Sequence, residues 1–166
     1  LPDGSIAEVA VDFDTLRDLS DAARKDYGMG GAVQHGASTL PETAFGKFAE
    51  AGAVEVHLAT AFQSMIYDHP AFPEALRDEI YAYLTANHSD ERKTGQTDAQ
   101  FFYGARKRGI GPFKRRMWDM PTETRDAIAA SLEETFSQLM QRLQVAGSAS
   151  IVDKVLALPA TCSRCM

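Results

Sequence analysis

The first third of the chain carries two kinds of hydrophobic spacing, one typical of helices and the other of strands. Residues 14–28 place apolar side chains on one helical stripe that ends at Gly28, and residues 41–52 repeat this spacing. Short apolar runs at 32–35 and 53–60 follow the glycine turns and predict strands. The resulting order of helix, strand, helix, strand is typical of βαβ units around a parallel sheet.

From residue 61 onward the pattern contains no convincing strand. Residues 72–87 and 122–144 are amphipathic at helical spacing, and residues 98–109 predict a short helix. Glycine and proline interrupt residues 110–121, so we expect a break between two helices there.

Two parallel strands cannot bury a sheet by themselves, so the pattern predicts the end of a larger α/β fold. We expect the C-terminal part of a (β/α)8 TIM barrel, with its last two strands followed by C-terminal helices that close the barrel. In this prediction residues 1–145 form the barrel part with its closing helices, and residues 146–166 form a C-terminal tail.

Composition narrows the class of partner. The 166 residues are 45% hydrophobic with a net charge of -6, which is typical of one globular domain or part of one and argues against a general nucleic-acid binder. No apolar run approaches the roughly 18 residues of a membrane span, and no signal peptide is visible, so we expect no membrane partner. Cys162 and Cys165 form no disulfide framework and have no two further zinc ligands nearby, so we expect a reducing, cytoplasmic location.

The segment "QHGAST" (34–39) places an imidazole and small residues at a predicted strand end. His35 closes the strand, and Gly36 and Ser38 lie in the turn that opens the next helix. Free N–H groups at a helix start suit a phosphate, while an imidazole beside them suits a metal ion or proton transfer. A structural histidine in a plain strand-to-helix turn explains the same residues equally simply.

The segment "HLAT" (57–60) repeats this arrangement at the end of the next strand. His57 and Thr60 provide an imidazole and a hydroxyl there. Because neighbouring parallel strands end at the same edge of a sheet, we expect the two loops to lie side by side and to form one phosphate pocket.

Basic residues are concentrated in one part of this acidic chain. Six of the 17 lysines and arginines lie within 11 positions. Such a cluster suits an anion that arginine can grip with two hydrogen bonds, and it equally suits a surface of ordinary ion pairs. The six are Arg106, Lys107, Arg108, Lys114, Arg115 and Arg116.

Four segments follow one another along the chain: "VQHGAST", "AVEVHLATAFQ", "RRMW" and "SLEETF". In this order they resemble the C-terminal part of the class II, metal-dependent fructose-bisphosphate aldolases. The resemblance implies a barrel enzyme that cleaves a ketose bisphosphate, fructose 1,6-bisphosphate, into dihydroxyacetone phosphate and glyceraldehyde 3-phosphate. It also implies a divalent metal ion, usually zinc, that polarises the ketone.

The resemblance assigns a role to each candidate residue. His35 matches a metal-ligand histidine, and His57 stands at the catalytic site where the family has a substrate-contacting asparagine. The phosphate-binding positions of the family correspond to Gly36, Ser38, the backbone of Ala59, and Thr60. Arg116 resembles an arginine that a neighbouring subunit sends to the distal phosphate, which implies a homodimer or a higher homo-oligomer.

The chain also departs from the family pattern. Alanine stands at Ala37, Ala59 and Ala61, where the family has a glycine and two aspartates. The family's other metal ligands and its general acid and base lie on earlier strands and are not found in this sequence. Either the chain is a fragment, or a second chain supplies those residues, or catalysis is lost. Two other hypotheses therefore stand: a non-catalytic barrel remnant that serves as an oligomerisation or interaction module, and another metal-dependent barrel enzyme that acts on phosphosugars.

Overall fold

Helices dominate the part of the chain that the computed structural model describes, residues 11–37 and 40–156. The helices are α1 Phe13–Tyr27, α2 Phe45–Glu50, α3 Thr60–Asp68, α4 Glu74–Asn87, α5 Asp98–Trp118, α6 Thr122–Arg142 and α7 Ala149–Val155. The strands are β1 Val33–Gln34 and β2 Glu55–Val56. None of these helices combines the length and the apolar character that crossing a bilayer requires.

The prediction of a (β/α)8 TIM barrel end is wrong. Helices account for 69% of the described residues and strands for only 3%. The two strands pair in parallel, with Val33 opposite Glu55 and Gln34 opposite Val56. Because so short a ladder buries little apolar surface, the helices are stabilised mainly by packing on one another.

Hydrogen bonds to a single carboxylate define the start of α1. Asp12 accepts from the backbone N–H of Asp14 at 3.1 Å and of Thr15 at 3.0 Å. The backbone and side-chain hydrogen bonds from Thr15 lower the pKa of Asp12. At the other end, Gly28 adopts the left-handed conformation, with φ at 65°, and ends the helix where the sequence predicts.

A buried serine connects α1 to the segments that lead into both strands. Ser20 donates its hydroxyl to the carbonyl of Gly52 at 3.0 Å and accepts from the N–H of Ala32 at 3.0 Å. A small apolar core surrounds this connection and consists of Leu16, Ala37, Phe45, Phe48 and Ala51. Since Ala32 lies directly before β1 and Gly52 lies three residues before β2, this serine links α1 to the approach to each strand.

A second core lies among α3, α4, α5 and α6. Its buried members are Tyr67, Phe72, Leu76, Ile80, Leu84, Phe101, Ala105 and Ile128. The Tyr67 hydroxyl donates to the carbonyl of Arg106 at 3.2 Å, and burial raises the pKa of Tyr67 to about 12. This hydroxyl therefore stays protonated and contributes to packing rather than to acid–base chemistry.

Helix α5 is continuous, so the prediction of a short helix followed by a break is wrong. Thr97 and Gln100 form a capping box at its start. Pro112 withholds an N–H from the carbonyl of Arg108, four residues earlier. Both residues are exposed, so water can replace the missing donor, while the opposite face of α5 packs on α4.

Two glycines of α5 provide a matched test of this packing. A Cβ at Gly109 would lie 2.6 Å from Cγ2 of Ile80 and 3.1 Å from the Tyr67 hydroxyl, whereas one at Gly104 would meet nothing within 4 Å. Alanine normally stabilises a helix interior by about 1 kcal/mol relative to glycine. We expect Gly104→Ala to stabilise the protein by up to about this amount. We expect Gly109→Ala to destabilise it by about 1–2 kcal/mol, because Ile80 is fully buried and cannot move aside.

Urea unfolding of the wild type and the two variants measures this difference. If Gly109→Ala raises the unfolding midpoint as much as Gly104→Ala, then α5 does not approach Ile80 as closely as described.

Candidate functional site

The carboxyl ends of β1 and β2 bring two histidines together. The ring centroids of His35 and His57 lie 4.3 Å apart, and the ring planes are inclined by 43°. Backbone pairing produces this proximity, because the N–H of His57 donates to the carbonyl of Gln34 at 2.8 Å. Two imidazoles therefore share one edge of the short sheet.

An open cleft of about 520 Å³ lies beside the two rings. Its walls come from the loop after β1 and from the segment that runs from β2 into α3. Of the residues that the sequence singles out, this cleft contains His35, Gly36, His57, Ala59 and Thr60. Ser38 lies outside the described residues.

Glu55 also lines the cleft, although the sequence motifs do not single it out. Its Oε1 contacts Nε2 of His57, and both side chains are about half exposed. Side chains two residues apart on an extended segment point to the same face, so Glu55 shares a face with His57. This alternation is the signal in the sequence that could have identified Glu55. A carboxylate on one ring nitrogen orients the imidazole and leaves Nδ1 able to exchange a proton with a ligand.

Gly36 gives the first loop its shape. Its φ is 73°, in the left-handed region, and an added Cβ would meet no atom within 4 Å. Glycine is therefore favoured here by backbone conformation and not by lack of space. Because no side chain intervenes, a ligand in the cleft can approach the backbone at this position.

Helix α3 begins at the cleft, with Thr60 as its first residue. Its N-cap residue, Ala59, makes no side-chain capping hydrogen bond to the first turn. The first N–H groups of a helix have no partner within the helix, and its dipole is positive at that end. The second loop thus offers an anion several backbone donors and the Thr60 hydroxyl.

The basic cluster does not converge on one anion site. Arg116 binds Glu79 of α4 with two guanidinium nitrogens, one of them at 2.9 Å, and this hydrogen bond lowers the pKa of Glu79. Three other arginines of the cluster also pair with carboxylates: Arg106 with Asp68, Arg108 with Glu91, and Arg115 with Asp119. None of the six basic residues lines the cleft at His35 and His57.

A histidine outside the cleft lies within hydrogen-bond distance of a serine. Nδ1 of His69 accepts from the N–H of Ala71 at 3.1 Å, so the proton of the neutral ring lies on Nε2. Nε2 then donates to the Ser131 hydroxyl at 3.1 Å and cannot remove its proton. This pair is structural and does not form a serine nucleophile with its base.

The described residues alone do not form a metal centre. No group of three or more His, Cys, Asp or Glu side chains among them has the geometry to hold a metal ion. Structural and catalytic zinc sites use three or four protein ligands, whereas the cleft offers two imidazoles, one of them already in contact with Glu55. Cys162 and Cys165 lie outside the described residues.

Comparison with known proteins assigns no family to the chain. No family model matches it, and no significant match is found among curated proteins or solved structures. The cleft at His35 and His57 is therefore the feature on which a function can rest.

Proposed function

We propose that the cleft at His35 and His57 provides the phosphate-binding and proton-transfer groups of an aldolase that acts on a ketose bisphosphate. The observation that carries this proposal is the convergence, at two strand ends, of paired imidazoles, a left-handed glycine and a helix N-terminus. The ordered motifs "VQHGAST" and "HLAT" support it through their resemblance to the class II aldolases.

A phosphate of the substrate binds between the two loops. The first N–H groups of α3 and the Thr60 hydroxyl donate hydrogen bonds to its oxygens, and the helix dipole favours its negative charge. The backbone at Gly36 closes the other side, where no side chain blocks the approach.

His57 accepts the proton that aldol cleavage releases. In cleavage the substrate hydroxyl loses its proton, the neighbouring carbon–carbon bond breaks, and the electron pair passes to the carbonyl half as an enediolate. Nδ1 of His57 takes the proton, while Glu55 holds Nε2–H and stabilises the charged ring. A proton then returns to the enediolate carbon to complete the triose product.

His35 is the residue of the cleft that we assign to a divalent metal ion, the Zn²⁺ implied by the resemblance. When bound, such an ion polarises the substrate ketone. Because the described residues do not complete its coordination, its other ligands belong to groups outside them. The roles of Thr60 and His57 rest on the cleft itself and do not depend on the ion.

We also assign Arg116 to the distal phosphate of a substrate bound by a neighbouring subunit in a homo-oligomer. Its guanidinium pairs with Glu79, and both side chains are about half exposed. A substrate phosphate must displace this carboxylate, which the planar fork of arginine permits because both anions offer two oxygens.

Binding of dihydroxyacetone phosphate tests the phosphate site directly. We expect Thr60→Val to weaken this binding about tenfold or more, because one hydrogen bond to a charged group contributes about 1.5–3 kcal/mol. Thr85→Val is the matched control, since Thr85 lies on α4 and donates to the carbonyl of Tyr81, away from the cleft. Isothermal titration calorimetry measures both affinities.

The same titrations with inorganic phosphate and fructose 1,6-bisphosphate complete the experiment. Binding of inorganic phosphate without binding of fructose 1,6-bisphosphate would favour the alternative of another phosphosugar enzyme. Equal binding by the wild type and Thr60→Val would contradict the phosphate site and leave the interaction module, which the exposed Trp118 and the exposed apolar residues of α7 favour.

A further inference from the structure

An apolar groove crosses the helical half of the molecule, on a surface separate from the cleft. It has a volume of about 340 Å³ and lies between α3, α5 and the first half of α6. Its apolar walls include Ile66, Ile110, Met117, Trp118, Ile128 and Leu132. Trp118, the only tryptophan of the chain, is 68% exposed there, so a large aromatic surface faces water. We refer to this feature as the Trp118 groove.

Two cations border the Trp118 groove. Nζ of Lys114 lies 5.2 Å from the centroid of the Trp118 ring, and Arg125 donates to the Thr122 hydroxyl at 3.3 Å. Neither forms an ion pair with any of the residues described, whereas all four arginines of α5 do. The groove therefore offers apolar contact together with positive charge at its border.

Helix α7 has the complementary character. No residue of α7 is buried, and Ile151, Val152 and Val155 are exposed together with Leu156, which follows the helix. At about 100° per residue, these four side chains fall within one arc of about 140°. Asp153 and Lys154 lie outside that arc, one about 60° beyond each edge, so the carboxylate can meet a cation at one border of an apolar groove.

Helix α7 does not line the Trp118 groove of its own chain. The N–H groups of Val145 and Ala146 both donate to the carbonyl of Met140, which turns the chain at the C-terminal end of α6. The groove uses α6 only as far as Leu132, ten residues before the helix ends at Arg142. At 1.5 Å per residue, that separation is about 15 Å along the helix axis.

We propose that α7 docks in the Trp118 groove of a second copy of this chain. Ile151, Val152 and Val155 cover the exposed face of Trp118, and Asp153 pairs with Lys114 or Arg125 of the other copy. Since each copy carries one α7 and one groove, a two-fold axis satisfies both at once and closes the assembly as a dimer. The two reciprocal contacts bury twice the apolar surface that the docking of one short helix would bury.

Molar mass and Trp118 fluorescence, measured together on the full chain as a function of concentration, test this dimer. We expect the mass from light scattering to double as concentration rises, and the Trp118 emission to shift to shorter wavelength over the same range. Val155→Asp on α7 and Ile110→Glu in the groove should each abolish both changes. Tyr27→Asp, an exposed apolar site on α1, should leave both unchanged.

Mixing the two disabled variants distinguishes exchange of α7 from other modes of association. Val155→Asp retains an intact groove and Ile110→Glu retains an intact α7, so the mixture should form a heterodimer with one docked helix. A chain that stays monomeric throughout overturns the proposal, as does a dimer that survives Val155→Asp or a mixture that does not associate. A short-wavelength emission that is independent of concentration would show α7 in its own groove and would also overturn it.

Discussion

Replacing His57 by glutamine is expected to lower kcat for cleavage of fructose 1,6-bisphosphate by about 1,000-fold in the intact protein. Glutamine keeps a hydrogen-bonding group in the cleft but cannot carry the proton that the imidazole exchanges. KM should change little, because the phosphate contacts at Thr60 and Gly36 are untouched. Glu55→Gln should produce a smaller loss of kcat, since that side chain orients His57 without accepting the proton itself.

His88→Gln is the matched control for the His57 variant. His88 also lies beside a glutamate, with Nδ1 3.5 Å from Glu91, but it is at the end of α4 and outside the cleft. A coupled assay for dihydroxyacetone phosphate gives kcat and KM for all three variants. If His57→Gln retains the kcat of His88→Gln, His57 does not transfer the proton.

The second large effect concerns stability, and we expect Asp68→Ala to lower the free energy of unfolding by about 3 kcal/mol. Arg106 is only 9% exposed, and its guanidinium donates to the two oxygens of Asp68 at 2.8 and 2.5 Å. Without that carboxylate, the Tyr81 hydroxyl, 3.1 Å from Nε, is the remaining hydrogen-bond partner described for the buried cation. An unpaired buried charge carries most of its desolvation penalty uncompensated.

Replacing the arginine of this pair instead of the aspartate should lower the free energy of unfolding much less. In Arg106→Met the side chain left behind is Asp68, which is 56% exposed and can be hydrated, so we expect a loss of about 1 kcal/mol. Asp119→Ala removes an exposed pair with Arg115 and should have no measurable effect. Urea unfolding measures all three variants, and equal losses for Asp68→Ala and Arg106→Met would show that Arg106 is not desolvated.

Helical periodicity in the sequence predicts a helix correctly where one face of that helix packs and the other meets water. The sequence predicts helices over 14–28, 72–87 and 122–144, and the structure places α1, α4 and α6 there within one or two residues at each end. These helices have buried residues on one side only, so the apolar stripe in the sequence corresponds to the face that packs.

Helix α3 shows why the same reasoning fails elsewhere. It packs on both α5 and α6, but it has only nine residues, so its apolar positions extend over too few turns to establish a helical period. The prediction for α5 fails for a different reason, because Gly111 and Pro112 are strong local signals for a break in a helix. Packing on α4 outweighs them, since the face that carries Pro112 is exposed.

The sequence by itself determined that His35 and His57 follow short apolar runs, that small residues surround the first, and that a hydroxyl follows the second. These are properties of a few neighbouring residues, which is the range over which turns, caps and periodicity act. Only the tertiary structure decided that the strands are two residues long, that Glu55 contacts His57, and that Arg106 and Arg116 bind carboxylates of other helices. Those outcomes depend on partners up to 38 residues away in sequence, whose positions follow from which apolar faces bury one another.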